Sequence, residues 1–210
     1  MMYKQLLPLL LIIAVFTGCQ KATFSNKWTG KQAPEEFKAR FETTKGTFDI
    51  VARREWSPQG VDRLYQLIKY EHFNDMPFYR VIDGFVAQFG HLDTLNTYQW
   101  DQFKLADEPV VEKNLEATIA FARAGKETRG TQLFINLESN SPRLDEIDSN
   151  GVIGFPVIAK VTAGMDNIKQ FKSYDDKPRR MLGSKPNANA FLRENFPEMD
   201  FIVKAYLLKK

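Results

Sequence analysis

The chain has 210 residues, with 29 Lys and Arg against 26 Asp and Glu and a formal net charge of +3. This length allows one sizeable hydrophobic core, and the nearly balanced charge, without a basic block, argues against a nucleic-acid partner. The two His residues and the single Cys are too few for the four ligands of a structural zinc site. We therefore expect no metal and no cofactor. His91 and Asp93 are interpreted as two surface side chains, and the alternative is that they form a metal-binding pair.

The first residues have the pattern of an export signal. Lys4 precedes an apolar run over residues 6–16, which is shorter than the about 20 residues that a membrane-spanning helix needs. Residues 1–18 are therefore predicted to be a signal peptide. Thr17-Gly18-Cys19 resembles a bacterial lipobox, which implies cleavage before Cys19 and lipidation of its thiol. The alternative is a plain signal peptide followed by a stray Cys.

Residues 19–36 are polar and lack periodicity, so we predict a lipidated Cys followed by a tether. The protein would then be anchored through lipid in a bacterial cell envelope, on the periplasmic face of a membrane. Trp28 is unusual for a linker, and the sequence leaves open whether it docks on the folded domain.

The folded domain, predicted over residues 37–210, opens with a β-hairpin and a helix. Apolar residues alternate along 37–41 and 48–52, with turn residues between them. Ser57 is a suitable helix cap and Pro58 a suitable first helical residue, and apolar side chains follow at helical spacing as far as Tyr70.

Residues 76–90 are predicted to form a strand pair, because β-branched and aromatic residues dominate and a turn falls at Asp83-Gly84. Arg80 and Gln88 interrupt the apolar runs, and a guanidinium removed from water needs a partner. The pattern leaves two interpretations open: a polar pair that faces a groove, or an edge-strand Arg and a solvated Gln.

Further strands are indicated at 118–122, 133–135 and 201–208. Residues 178–186 are basic and are predicted to be a loop. Residues 189–200 predict a short helix followed by a turn.

Residues 78–90, Phe-Tyr-Arg-Val-Ile-Asp-Gly-Phe-Val-Ala-Gln-Phe-Gly, resemble the signature strand pair of the cyclophilins, the peptidyl-prolyl cis/trans isomerases. Phe-Ala-Arg-Ala-Gly at 121–125 and Thr-Gln-Leu-Phe-Ile at 131–135 are similar to two further family segments. The resemblance covers residues 37–208. It implies a mainly β fold: a closed eight-stranded antiparallel β-barrel capped by two α-helices, with a strand at 157–161 and the second helix at 165–171.

The same resemblance implies a site. Its central residues are Arg80, Phe85, Gln88 and Phe134. The residues that line the proline pocket, the groove and the subsites before proline are Val86, Ala122, Arg123, Ala124, Gln132, Leu144 and Phe155. Ordinary barrel core is the alternative for the two Phe residues of the central set.

The implied activity is isomerisation of Xaa-Pro bonds in proline-containing unfolded or exported polypeptides by a monomeric folding enzyme. No covalent bond breaks in this reaction, so no nucleophile is required. Arg80 would donate a hydrogen bond to the prolyl nitrogen as it becomes pyramidal, which stabilises the transition state more than either planar state.

Three departures from the family pattern bear on activity. The family's glycine-rich loop is absent from 91–106, and Arg123 replaces an Asn and is expected to add bulk and charge beside the groove; these two favour a competing interpretation. Arg143 stands where many members have Trp. The alternative is a weakly catalytic cyclophilin-fold module that binds proline-containing segments or scaffolds an envelope complex. A purely structural barrel is the third candidate.

Overall fold

A computed structural model of the chain describes residues 24–91, 95–182 and 187–209, which are organised around one curled antiparallel sheet. The strands of these ranges are β1 (Glu36–Thr43), β2 (Gly46–Arg53), β3 (Met76–Pro77), β4 (Arg80–Ile82), β5 (Val86–Phe89), β6 (Thr118–Phe121), β7 (Leu133–Asn136), β8 (Val157–Ala163) and β9 (Phe201–Leu207). Their order across the sheet is β3-β9-β1-β2-β8-β6-β7-β5-β4. The mainly β fold predicted from the resemblance is confirmed.

The hairpin of β1 and β2 shows how alternation builds the main core. The two strands pair antiparallel along their whole length. Phe41 and Phe48 lie opposite each other with stacked rings 4.8 Å apart, and each is 1% exposed. Since side chains alternate between the two faces of a strand, one face of the hairpin is buried and the other faces solvent.

β3 and β4, the strands at the two ends of the sheet order, follow each other directly in the chain. Only Phe78 and Tyr79 separate β3 from β4. Pro77 has no N–H to donate, and Phe78 donates to Asp200 O at 2.9 Å, which holds this stretch beside β9. β4 then turns to pair with β5. The first strand predicted for 76–90 is thus two short strands, which gives nine strands where eight were predicted.

The helices of the described ranges lie around the sheet and in its connections. They are α1 (Pro58–Lys69), α2 (Leu95–Asp101), α3 (Arg143–Glu146), α4 (Met165–Ile168), α5 (Lys177–Leu182) and α6 (Ala188–Asn195). The helix predicted from Pro58 to near Tyr70 is observed as α1, and the helix predicted at 165–171 is shorter. The loop prediction for 178–186 is wrong at 178–182, because Pro178 and Leu182 are buried on one side of α5.

The N-terminus of α1 is capped from a distant part of the chain. Ser57 makes no side-chain capping bond. Instead Glu108 accepts the backbone N–H groups of Gln59 at 2.8 Å and Gly60 at 3.2 Å, and it also accepts from Ser57 Oγ. Arg129 pairs with the same carboxylate at 2.9 Å. A carboxylate at a helix N-terminus is favourable because it meets unpaired N–H groups and the positive end of the helix dipole.

Residues 24–36, predicted to be part of a free tether, pack against the domain. The ring of Trp28 stacks on Tyr70 at 4.1 Å, and the ring of Phe24 lies 5.0 Å from that of Trp100. Gln66 donates from Nε2 to the carbonyls of Thr29 at 3.0 Å and of residue 31 at 2.7 Å. The described part of the chain therefore packs from Phe24 onward, and Trp28, whose docking the sequence left open, lies against the domain.

The signal peptide predicted at 1–18, Cys19 and Asp93 lie outside the described residues. In the ranges that the structure describes, no helix has the length and apolarity to cross a membrane. No group of three or more His, Cys, Asp or Glu residues in those ranges is placed to hold a metal ion.

Trp28→Ala should lower the free energy of unfolding by about 1–3 kcal/mol, because a half-buried aromatic surface and its stacking on Tyr70 are lost. Thermal unfolding followed by circular dichroism measures this. Tyr98→Ala on α2 is the control, since Tyr98 is 64% exposed and its loss should change stability little. Equal melting temperatures for Trp28→Ala and the parent chain would show that the docked segment contributes nothing to folding.

Candidate active site

All eleven residues predicted to form the groove line one cavity of about 600 Å³. By element they are Arg80 on β4, Phe85 in the β4–β5 turn, Val86 and Gln88 on β5, Ala122, Arg123 and Ala124 after β6, Gln132 before and Phe134 on β7, Leu144 on α3, and Phe155 before β8. Lys104, Thr128 and Arg179 also line the cavity and were not predicted.

Strand register places the central residues on one face. Arg80 lies opposite Gln88, Gln88 opposite Phe134, and Phe134 opposite Ala120. Residues directly opposite each other in paired antiparallel strands project to the same side of the sheet. The row therefore crosses four strands and puts a cation, an amide and an aromatic ring side by side.

The apolar part of the cavity is a cluster separate from the main core. Val86, Ala120, Phe134 and Leu144 are buried together, and Phe85, Ala122 and Phe155 pack against them. The rings of Phe134 and Phe155 meet edge to face at 5.6 Å. The backbone N–H of Phe155 donates to Leu144 O at 2.8 Å, which holds these two residues of the cavity lining together. Phe85 and Phe134 are thus cavity residues, and the barrel-core alternative does not describe their position.

Arg80 stands at the polar edge of this cluster with its side chain 21% exposed. Its Nε donates to Asp176 Oδ1, and its Nη1 donates to Gln88 Oε1 at 3.2 Å. The guanidinium carbon lies 5.7 Å from the centre of the Phe85 ring, within the range of a cation–π contact. The desolvated cation is therefore partnered, as its position in an apolar run requires.

Gln88 and Gln132 form a second polar group that Tyr79 supports. Gln132 Oε1 accepts from the Tyr79 hydroxyl at 2.9 Å and from Gln88 Nε2 at 3.4 Å. Burial raises the pKa of Tyr79, so its hydroxyl keeps the proton and remains a donor. Sequence reasoning missed Tyr79, although a Tyr inside an apolar strand usually has a partner for its hydroxyl.

Asp176 and Arg179 also reach the site and were not predicted. Arg179 donates from Nε to Asp176 Oδ1 at 3.0 Å and from Nη2 to Oδ2 at 2.7 Å. The hydrogen bonds from Arg179 and Arg80 hold the pKa of Asp176 well below its usual range. No motif spacing could have joined Asp176 to Arg80, because 96 residues separate them in the chain.

The side chain of Arg123 is turned into the protein and is fully buried. Its Nη1 donates to Asp107 at 3.1 Å, and its guanidinium carbon lies 5.2 Å from the centre of the Phe155 ring. Burial lowers the pKa of Arg123, and its Nε and Nη2 have no hydrogen-bond partner within the described ranges. The bulk and charge expected beside the groove are therefore directed inward and paired with Asp107, while the residue itself still lines the cavity.

The other two departures also have defined positions. The guanidinium carbon of Arg143 lies 4.4 Å from the centre of the Phe85 ring, where it covers one edge of the apolar cluster. The glycine-free segment 91–106 contains α2, and Lys104, which follows this helix, lines the cavity and pairs with Asp101 at 2.9 Å. The row of Arg80, Gln88 and Phe134 is intact beside all three departures.

Comparisons with known proteins identify the family. The model of the family described as cyclophilin type peptidyl-prolyl cis-trans isomerase/CLD matches residues 38–189. A peptidyl-prolyl cis-trans isomerase of Helicobacter pylori (strain J99) is 31% identical over 135 residues, which are 63% of this chain and 80% of that protein. Peptidyl-prolyl cis-trans isomerase A of Dickeya dadantii is 28% identical over 155 residues, 69% of this chain and 77% of that protein.

A solved structure shows the same fold. The crystal structure of a cyclophilin type peptidyl-prolyl cis-trans isomerase from Cryptosporidium parvum superposes with a TM-score of 0.59 at 18% identity, over 83% of this chain and 99% of that one. The chain belongs to the cyclophilin-type peptidyl-prolyl cis-trans isomerases.

Tyr79→Phe should lower kcat/KM by about 2- to 5-fold, because the loss of one neutral hydrogen bond, worth about 0.5–1 kcal/mol, leaves Gln132 less firmly held. Isomerisation of a proline-containing test peptide measures the change, and circular dichroism checks the fold. Tyr98→Phe removes an exposed hydroxyl and should leave the rate unchanged. Identical rates for both variants would mean that Tyr79 does not support the groove.

Proposed function

We propose that this chain isomerises Xaa-Pro bonds in exported polypeptides and that Arg80 is the catalytic donor. The observation that carries the proposal is a guanidinium fixed at the edge of an apolar cavity. Its contacts with Asp176 and Gln88 use two of the five N–H donors of an arginine, so the other donors of this cavity-lining side chain can reach a ligand.

The chemistry needs a cation in this place because the barrier is electronic. Resonance makes rotation about a peptide bond cost about 18–20 kcal/mol. When the amide twists, the prolyl nitrogen regains its lone pair and can accept a hydrogen bond. A donor that is already oriented stabilises this twisted state and has little to bind in either planar state.

The remaining cavity residues would bind and orient the peptide. Phe134, Leu144 and Val86 offer an apolar surface for the proline ring, at no cost in unpaired polar groups. Gln88 and Gln132 offer amide groups to the peptide backbone beside it. Ala122 and Ala124 leave room for the residues before proline, since the Arg123 side chain between them points inward.

The cellular role rests on the sequence of the N-terminus. A signal peptide over 1–18 and a lipobox-like Thr17-Gly18-Cys19 support an envelope protein held to a membrane by lipid on Cys19, with exported polypeptides as its substrates. More than one acyl chain would make this attachment stable, whereas a single chain gives marginal binding.

A binding module with weak catalysis is the second candidate. The guanidinium of Arg143 over the Phe85 ring, where many family members have Trp, favours this alternative. The paired and oriented Arg80 favours catalysis. Isomerisation rate and peptide affinity, measured on the same preparation of the full chain, separate the two.

Arg80→Ala should lower kcat/KM by about 10²- to 10³-fold, the effect of losing one preorganised donor. Peptide affinity should change much less, because the planar ground state scarcely uses this bond. Arg80→Lys should rescue poorly, since a flexible ammonium does not reproduce the planar fork of donors. The measurements are isomerisation of an Ala-Pro peptide and its binding isotherm.

Arg40→Ala is the matched control for this experiment. Arg40 also forms a two-bond pair with a carboxylate, to Asp49 at 2.7 and 2.8 Å, but on β1 and not at the cavity. It should keep the parent rate. Parent-like turnover by a folded Arg80→Ala protein would refute the catalytic assignment and leave the binding module as the better description.

Cys19→Ala should release the protein from membranes and leave its isomerase activity unchanged, because Cys19 is the sole Cys of the sequence and is far in the chain from the cavity residues 80–179. Fractionation of expressing bacteria, with the variant and parent chain side by side, is the test. A variant that still sediments with membranes would contradict lipidation at Cys19.

A further inference from the structure

The segment between β8 and β9 contacts the catalytic edge of the cavity, although it lies outside the two blocks of sequence that carry the family resemblance. Asp176 immediately precedes α5, and Arg179 lies on that helix. The Asp176 carboxylate sits between two guanidinium groups: it accepts from Arg80 Nε on one side and from Arg179 Nε and Nη2 on the other. Neither Asp176 nor α5 has a role in the mechanism described so far.

Contacts that do not involve Arg80 fix this segment relative to β4. Ser173 Oγ donates to Val81 O at 2.8 Å, and Val81 forms an isolated β-bridge with Asp175. Tyr174 meets Phe196 edge to face with ring centres 5.0 Å apart. Val81 is the strand neighbour of Arg80, so these bonds set the distance between the carboxylate and the guanidinium.

The helices α5 and α6 anchor the same segment in the main core. Leu182 on α5 is 3% exposed, and Leu192 on α6 is fully buried. Phe196, at the end of α6, is 2% exposed and packs on Tyr174. The carboxylate of Asp176 is therefore presented from a packed support, and it would stay near its position if Arg80 moved.

Two bonds in different directions define the orientation of the Arg80 guanidinium. Asp176 accepts at Nε, and Gln88 accepts at Nη1 at 3.2 Å. A single bond would let the planar group rotate about it, whereas two fix the plane and direct the remaining N–H donors. A long arginine side chain without such bonds samples many rotamers, which weakens a donor that must be in place before the amide twists.

From this geometry we propose that Asp176, paired with Arg179, is a positioning residue for Arg80. The helices α5 and α6 support catalysis because they hold Asp176 in place. This inference rests on the proposed function, because that function makes Arg80 the catalytic donor and the inference says what holds Arg80 in place. It also gives a role to α6, which the sequence predicted only as a short helix.

Two explanations of how Asp176 affects Arg80, through the local charge or through the orientation of the guanidinium, predict opposite changes in turnover when Asp176 is removed. The group of Arg80, Arg179 and Asp176 holds two cations and one anion and so has a net charge of +1. Removal of the carboxylate adds positive charge at the site. If the field of Arg80 alone mattered, turnover would rise; if its orientation matters, turnover falls.

Asp176→Ala should lower kcat by about 10- to 100-fold, the scale of a misplaced catalytic group, with KM for an Ala-Pro peptide nearly unchanged. Asp176→Asn should lie between this variant and the parent, since an amide can accept from Arg80 but presents N–H groups to Arg179. All variants are made in the full chain and purified in detergent. Unchanged or increased kcat in folded Asp176→Ala overturns the proposal.

Asp49→Asn is the matched control. Asp49 forms the equivalent two-bond pair with Arg40, and the hydrogen bonds from Arg40 likewise lower its pKa. This variant should lose a comparable amount of thermal stability and keep its kcat. An equal loss of kcat in Asp49→Asn would show that weakening any such pair slows turnover, which also overturns the proposal.

A double-mutant cycle tests whether Asp176 acts through Arg80. If it does, Asp176→Ala should cause no further loss of kcat in the Arg80→Ala background. Additive losses would mean that Asp176 acts on the substrate or the fold by another route, and the positioning role would fall.

A spectroscopic measurement keeps this inference separate from the proposed function. In ¹⁵N-labelled parent chain the Arg80 Nε–H resonance, assigned by its loss in Arg80→Lys, should be protected from solvent exchange; Asp176→Ala should abolish that protection, and Asp49→Asn should preserve it. If the parent chain proves inactive, the proposed function falls, and this resonance still decides whether Asp176 holds Arg80. Protection that survives in Asp176→Ala overturns the positioning role.

Discussion

Arg80 brings a permanent positive charge into a wall of aromatic and aliphatic side chains, and the cost of taking that charge out of water must be offset by partners. The structure supplies a carboxylate from Asp176, an amide oxygen from Gln88 and the face of the Phe85 ring. Each partner lies on a different element, so the sheet, the β4–β5 turn and the α5 segment must all be in place before the cation is stable there. The same contacts leave N–H donors for a ligand, and this links the stability of the site to its chemistry.

The cavity is separated from the core that stabilises the sheet. Phe41, Phe48 and their neighbours fill the main core, whereas Val86, Phe134 and Leu144 form a smaller cluster on the face that carries Arg80. A change on the cavity side can therefore alter the binding surface while the main core keeps its packing. The strand register of β4, β5, β7 and β6 holds Arg80, Gln88 and Phe134 in one row, and that register is set by burial on the opposite face.

The sequence predicted those parts of the structure that depend on local periodicity or on a contiguous motif. The hairpin and α1 follow from alternation and helical spacing over a few residues, and the row of cavity residues follows from the resemblance of contiguous blocks to family segments. Asp176, Glu108 and Arg123 depend on long-range packing. Asp176 meets Arg80 across 96 residues, Glu108 caps a helix 49 residues earlier, and Arg123 buries a guanidinium that its position beside a groove did not suggest. No local pattern specifies such contacts.

The loss of glycines from 91–106 and the docking of the N-terminal segment are physically connected. A helix as short as α2 is marginal by itself, so packing must hold it. Trp100 supplies that packing: it is fully buried, it lies 5.2 Å from the Arg63 guanidinium carbon, and Phe24 and Trp28 cover it at 5.0 and 6.2 Å. A free tether would leave much of this indole exposed and α2 without a partner. Phe24 and Trp28, which are unusual residues for a linker, are thus explained by their packing on Trp100, and the same helix is followed by Lys104, which lines the cavity.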